Sequence, residues 1–86
     1  MSAETFHLVI ASVGETRFDG RAASATLPGS AGELTILAHH EPFVTTLKPG
    51  TITVRGLPAQ AGDASQEFQI DGGVLEVSNN RAVVLL

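Results

Sequence analysis

The chain has 86 residues, 43% of them hydrophobic, and a formal charge of −4 at neutral pH. A chain this short forms one small core, so we expect a single domain over residues 1–86. Its five scattered basic residues argue against binding to nucleic acid or acidic lipid, and the absence of cysteine excludes disulfides and thiolate-ligated metal sites. No apolar run is long enough for a membrane span, and the N-terminus lacks the basic stretch of a signal peptide.

Short strand signals follow one another along the chain. Phe6, Leu8 and Ile10 alternate with less apolar positions, which predicts a strand that ends before Gly14. Further strands are predicted, in chain order, at residues 21–27, 33–37, 44–47, 51–55, 67–70, 74–77 and 81–86, separated by Asp19-Gly20, Pro28-Gly29, Pro49-Gly50, Asp71-Gly72-Gly73 and Asn79-Asn80. This spacing, without a helical stripe, predicts an all-β sandwich or barrel.

Two of the connections have a clear local signature. Asn79-Asn80 lies between two apolar segments, and both residues tolerate positive φ, so a tight hairpin is predicted there. Residues 56–66 are small and polar, which predicts an exposed loop between paired strands.

Two segments are apolar at consecutive positions instead of alternating. They are Val74-Leu75 and Val83-Val84-Leu85-Leu86. Strands that are apolar on both faces need cover on both, so we expect either a second sheet edge or another protein against the outer face.

No pattern in the chain predicts catalysis, a metal or a cofactor. His39-His40-Glu41 has ligand chemistry, but neighbouring strand residues point to opposite faces and His7 is distant in sequence. The serines lack a nucleophile-elbow context. Residues 29–32 read G-S-A-G without a following G-K-[ST], which indicates a turn and not a phosphate loop.

Glu33 follows this Gly-rich turn and has two interpretations. A carboxylate on a short turn can contact a basic or amide-bearing partner. It can also be a solvated surface charge, and composition alone favours this second interpretation.

Two longer motifs are more informative than these single residues. Residues 32–50 read G-E-L-T-I-L-A-H-H-E-P-F-V-T-T-L-K-P-G, and residues 72–77 read G-G-V-L-E-V. These resemble the epsilon subunit of the F-type rotary ATP synthase, whose pattern is close to G-E-L-x-I-x-x-x-H-x-P-x-x-T-x-L-x-P-G followed by G-G-x-L-E-V. The segments F-H-L-V-I-A-S at 6–12 and F-D-G at 18–20 resemble that family's opening strand and its F-x-G turn. The sequence departs from the pattern at Thr35, where Gly is usual, and at Ala38-His39, where Pro-Gly is common.

The resemblance covers nearly the whole chain and implies a fold and a function. The fold is a flattened β-sandwich of about eight to ten short strands, and because the sequence stops at Leu86, no C-terminal helical hairpin is expected. The implied function is that of a non-catalytic central-stalk subunit, monomeric within a proton-translocating F-type ATP synthase at the cytoplasmic face of the bacterial inner membrane. Its implied partners are the gamma subunit and the c-subunit ring, with no cofactor, nucleic acid or lipid insertion.

The resemblance also assigns contact residues. Three residues match the family's turn against the c ring, and four match positions facing the gamma subunit. The c-ring set is Gly32, Glu33 and Leu34, and the gamma set is Ser12, His40, Pro42 and Thr45. The alternative is a free-standing β-sandwich module that binds a protein or ligand, since folds are shared more widely than functions.

Overall fold

The computed structural model describes residues 4–56 and 65–86, which form nine β-strands and no helix. The strands are β1 (Phe6–Ser12), β2 (Glu15–Ala22), β3 (Ser24–Gly29), β4 (Gly32–Leu37), β5 (Phe43–Leu47), β6 (Gly50–Arg55), β7 (Ser65–Ile70), β8 (Gly73–Ser78) and β9 (Arg81–Leu85). The predicted all-β class is therefore confirmed. Within these ranges no helix is long and apolar enough to cross a membrane.

The strands form one curled sheet in the order β2-β1-β9-β8-β5-β3-β6-β7, with β4 paired to β3. Neighbours are antiparallel except β1 and β9, which are parallel. The pairing of β5 with β3 consists of Gly29 opposite Leu47, so the sheet turns sharply there. It thereby forms a sandwich of a first layer, β2-β1-β9-β8-β5, and a second layer, β4-β3-β6-β7.

The two edge strands β2 and β7 meet on the other side of the sandwich. The rings of Phe18 and Phe68 lie edge to face, with centroids 5.9 Å apart. Beside them, the Arg17 guanidinium donates a hydrogen bond of 3.3 Å to the Gln69 carbonyl oxygen. These contacts cover two edges that otherwise expose backbone groups.

An aliphatic core fills the space between the layers. Alternate residues of β1, namely Phe6, Leu8 and Ile10, are fully buried, as their sequence pattern predicts. From the remaining strands come Ala22, Ala25, Leu27, Ile36, Leu47, Ile52, Val54, Ile70, Leu75, Val77, Ala82 and Val84. No polar side chain of the described residues is buried, so apolar packing accounts for the interior.

Two predictions of strand boundaries are wrong. The predicted strand at 21–27 is divided near Ala23, because Ala22 still pairs with Phe6 in the first layer while Ser24 already pairs with Leu37 in the second. The predicted turn at 18–20 lies within β2, where these residues pair with β1. In both cases tertiary strand pairing outweighed the local pattern, which at residues 18–20 is a Gly turn signal.

The predicted hairpin is confirmed, and the predicted loop is shorter than expected. Asn79 and Asn80 have φ of 52° and 58° and join β8 to β9, with Ser78 opposite Arg81. Ser65 and Gln66 belong to β7, and residues 57–64 of the predicted loop lie outside the described residues.

Candidate functional site

Strand register places the strand ends in two groups. One group contains the ends of β1, β5 and β9, since Leu47 pairs with Gly73 and Ala11 with Leu85. The β3–β4 turn joins it because Gly29 pairs with Leu47. We call this the Glu33 end. The opposite group, which we call the Asn80 end, contains the start of β1, the β8–β9 turn and the β4–β5 connection at residues 38–42.

The β3–β4 turn at the Glu33 end carries the predicted c-ring set. Gly29 and Gly32 are paired, which leaves Ser30 and Ala31 at the tip. The turn is fixed to β5, because the Ser30 backbone N–H donates 3.0 Å to the Thr46 carbonyl and the two hydroxyls lie 2.7 Å apart. A short, doubly attached turn of this kind presents the next residues in a defined position.

The three predicted residues that follow the tip have different surroundings. Gly32 and Glu33 are exposed, whereas Leu34 is half-buried and packs against the core. Glu33 stands opposite Pro28 and makes no ion pair within the described part of the chain. Its carboxylate is therefore available to a partner at the tip of the sandwich.

Glycine is required at the base of this turn. A Cβ atom at Gly29 would lie 2.6 Å from the Gly32 carbonyl oxygen and 2.7 Å from Leu34 Cδ2. Gly32 itself has φ of 142°, a conformation that residues with a side chain rarely adopt. The G-x-x-G pattern that opens this segment therefore has a steric cause in this chain.

Three of the four predicted gamma-contact residues lie in or next to the β4–β5 connection. The His40 ring packs on Phe43 with centroids 5.0 Å apart, and its Nδ1 lies 2.9 Å from the Glu41 carbonyl oxygen. Pro42 is exposed, whereas Thr45 lies on β5, is half-buried and donates weakly to the Thr46 carbonyl at 3.4 Å. We call His40 and Pro42 the ridge at the Asn80 end, where the ring contact with Phe43 holds His40.

Ser12, the fourth residue, lies elsewhere. It ends β1 at the Glu33 end. Thr45 is level with Leu75, Val84 and Ile10 across the first layer, so three strand spacings, about 14 Å in all, separate β5 from β1. No hydrogen bond of the described residues joins members of this set. One partner could reach all four only by spanning the length of the first layer.

The first layer exposes apolar side chains over several strands. Val44, Val74 and Leu85 are 67%, 40% and 58% exposed. Strand pairing aligns them with half-buried neighbours, and we call Val9, Ala11, Val44, Val74, Val83 and Leu85 the outer apolar face. The exposed Glu76 lies among them, opposite Val44 and Val83. No described residue of the second layer covers this face. Exposed apolar patches of this kind are typical of protein–protein contact surfaces.

The second layer differs in its outer surface. There Thr26 and Thr35 lie within hydrogen-bond distance across β3 and β4, and the Gln69 amide donates to the Thr51 hydroxyl across β6 and β7. Uncharged polar side chains of this kind are well solvated. The outer surface of the second layer is thus polar at these positions, with Leu37 exposed at the end of β4, whereas the first layer carries the outer apolar face.

The histidines form separate pairs with carboxylates. His7 Nε2 lies 2.5 Å from Asp19 Oδ1, and His39 Nε2 lies 2.7 Å from Glu4 Oε1. No group of three or more potential ligands capable of holding a metal occurs among residues 4–56 and 65–86. These are exposed imidazole–carboxylate contacts, and the described residues form no assembled metal centre.

Asn80 is a functional candidate that sequence reasoning missed. Its side-chain Oδ1 accepts from the His39 backbone N–H at 2.7 Å, and its Nδ2 donates to the Thr5 carbonyl at 2.9 Å. Its own carbonyl accepts from the His7 N–H at 3.2 Å. Asparagine in a hairpin turn is a visible signal, but these partners are 41 and 75 residues away, so only the fold identifies them.

The described residues therefore define a small β-sandwich with an anchored β3–β4 turn, a β4–β5 connection and one exposed apolar sheet face. The family described as "ATP synthase, Delta/Epsilon chain, beta-sandwich domain" matches residues 5–86. The chain belongs to this family.

Curated relatives carry the same assignment. The chain is 39% identical over 82 residues to the ATP synthase epsilon chain of Delftia acidovorans and 38% identical over 82 residues to that of Polaromonas naphthalenivorans. In both comparisons the alignment covers 94% of this chain and 56% of the relative. The chain thus spans little more than half the length of these relatives.

Solved structures agree on the fold. A chain in the mitochondrial ATP synthase of Euglena gracilis, described as OSCP/F1/c-ring in rotational state 1, superposes with a TM-score of 0.83 at 23% identity, over 99% of this chain and 51% of that one. A chain from the central stalk/c-ring of the Tetrahymena thermophila enzyme gives 0.76 at 18% identity, over 99% and 65%. At these identities the likeness establishes the sandwich architecture.

Proposed function

We propose that this chain is the sandwich domain of a central-stalk rotor subunit that links the gamma subunit to the c ring of a proton-translocating F-type ATP synthase. The observation that carries the proposal is the family match over residues 5–86. In the proposed complex the chain takes no catalytic part, holds no cofactor and lies at the cytoplasmic face of the bacterial inner membrane.

The c-ring contact is assigned to Gly32, Glu33 and Leu34. The turn before them is held to β5 by two hydrogen bonds, and the Glu33 carboxylate is exposed without an ion-pair partner in the described part of the chain. Such a carboxylate suits the polar loops of a membrane ring, because an interfacial charge contributes when a complementary group meets it.

The gamma contact is assigned to Ser12, His40, Pro42 and Thr45. His40 and Pro42 form a ridge stiffened by the packing of His40 on Phe43. Because Ser12 lies at the other end of β1, the gamma subunit would extend along the first layer from one end to the other. The outer apolar face adds exposed contact area on the solvent side of that layer, whereas Thr45 is aligned with the buried Leu75 and Val84 on the core-facing side.

The mechanical role follows from packing. An interior of close-packed aliphatic side chains deforms little under load. A domain attached to two neighbours at once dissociates less readily, because each contact raises the effective concentration for the other. Since it stays attached to both, it rotates with them. Stiffness and simultaneous contact are the properties a rotor linker needs to couple proton transport to ATP synthesis.

The test compares capture of isolated gamma subunit and c ring by the unaltered chain and two charge-inversion variants. Glu33→Lys should weaken c-ring capture about tenfold or more and leave gamma capture unchanged. Glu67→Lys, an exposed carboxylate change on β7 in the second layer, is the matched control and should affect neither. If neither partner is captured by the unaltered chain, the free-standing binding module becomes the better interpretation. Equal c-ring capture by both variants would remove Glu33 from the contact.

A further inference from the structure

The β4–β5 connection contains a backbone conformation that residues other than glycine adopt uncommonly. His39 has φ of 61°, in the left-handed region. Residues other than glycine are uncommon there because Cβ crowds the backbone, although Asn, Asp and His are enriched among those that do occur. Contacts from elsewhere in the fold therefore help to hold the connection in this shape.

Asn80 supplies the central contact. Its Oδ1 accepts the His39 backbone N–H at 2.7 Å, and its Nδ2 donates to the Thr5 carbonyl at 2.9 Å. One side-chain amide thus joins the β4–β5 connection and the segment before β1 to the β8–β9 turn. Asparagine is suited to this role, because its amide both donates and accepts and it tolerates the positive φ that the hairpin needs.

Residues before β1 also help to hold the groups that Asn80 contacts. His39 Nε2 lies 2.7 Å from Glu4 Oε1. Arg21 holds Thr5 through hydrogen bonds of 3.0 Å to its hydroxyl and 2.9 Å to its carbonyl oxygen. The acceptor of the Asn80 amide is therefore itself fixed, so the side-chain orientation of Asn80 is determined by its surroundings.

We propose that Asn80 is a positioning residue for partner binding. By holding His39 in the left-handed conformation, it sets the direction in which the chain continues through His40 and Pro42. This inference rests on the proposed function, in which His40 and Pro42 contact the gamma subunit. His40 follows His39 directly, and its N–H closes the connection by donating to the Leu37 carbonyl at 3.3 Å. A change in the backbone conformation of His39 therefore moves His40 directly, because no residue lies between them.

Three variants separate positioning from general stability. Asn80→Gly removes both amide contacts and keeps the positive φ of the turn. Asn79→Gly is the matched control, because Asn79 has a similar φ of 52° and no side-chain hydrogen bond among the described residues. Asn80→Asp keeps the oxygen that accepts the His39 N–H and loses the donor to Thr5.

Two measurements are made on the whole 86-residue chain. Hydrogen exchange at the His39 amide reports its bond to Asn80, and titration with purified gamma subunit gives the dissociation constant. For Asn80→Gly we expect exchange at His39 to accelerate about tenfold and gamma binding to weaken about fivefold, the size expected for one lost hydrogen bond. Asn79→Gly should match the unaltered chain in both, and Asn80→Asp should keep most of the His39 protection and of the affinity.

The outcomes are distinct. Unchanged His39 exchange in Asn80→Gly, unchanged gamma affinity in that variant, or equal effects in Asn79→Gly would each overturn the proposal. Should Asn80→Gly not fold, Asn80→Asp decides, and loss of His39 protection in the folded Asn80→Asp chain would overturn it. If the unaltered chain does not bind gamma, the proposed function fails, and the exchange data by themselves decide whether Asn80 fixes the connection.

Discussion

Substitutions at two neighbouring residues of β8 test the inside and outside of the sandwich. Leu75 is fully buried between Thr45 of β5 and Val84 of β9, whereas Val74 is 40% exposed on the outer apolar face. Leu75→Ala removes buried carbon atoms and leaves a cavity, which we expect to lower the free energy of unfolding by about 3 kcal/mol. Val74→Ala removes atoms that are partly in water and should lower it by about 0.5 to 1 kcal/mol.

The difference is large for a domain of this size. At roughly 0.05–0.15 kcal/mol per residue, the whole chain has about 4–13 kcal/mol of stability. A loss of about 3 kcal/mol should lower Tm by roughly 12–24 °C, at about 4–8 °C per kcal/mol. Ordinary domains melt at roughly 45–65 °C, so a fall of this size would bring Tm of Leu75→Ala close to about 37 °C. Val74→Ala should stay folded at that temperature.

Urea unfolding followed by far-ultraviolet circular dichroism measures both changes. The slope of unfolding free energy against urea should stay constant while the midpoint moves, which identifies a stability change in the folded state. Equal losses in the two variants, or a larger loss in Val74→Ala, would refute the register of β8. A shift of one residue exchanges the faces of every side chain on a strand.

Three further results are expected. Gly29→Ala should cost about 1–3 kcal/mol in urea unfolding and weaken c-ring capture, because its Cβ would meet the Gly32 carbonyl at 2.6 Å; a neutral result would mean that the turn relaxes freely. Phe68→Leu should cost about 0.5–1.5 kcal/mol through loss of its edge-to-face contact with Phe18, and Phe18→Leu combined with it should add little more. Calorimetric titration with ATP should give no saturable heat, since the chain has five basic residues and no phosphate-loop motif; micromolar binding would reveal a site in the sandwich itself.

Short-range patterns in the sequence determined the class of the fold. Alternation in Phe6, Leu8 and Ile10 predicted their burial, and two residues tolerant of positive φ at Asn79-Asn80 predicted the hairpin. These predictions succeed because strand periodicity and turn conformation depend on residues within a few positions of one another. The motifs at 32–50 and 72–77 likewise indicated the family that the match over residues 5–86 establishes.

Other features depended on which strands become neighbours. Residues 21–27 look continuous in sequence, yet the chain changes layers at Ala23 because Ala22 and Ser24 have partners in different layers. The sequence could indicate that Val74 and Leu85 need cover, but only strand pairing aligns them on one exposed face. The role of Asn80 has the same origin, since Thr5 and His39 reach it through the closing of the sheet. Contacts between distant segments are set by the packing of the whole core, which no local pattern encodes.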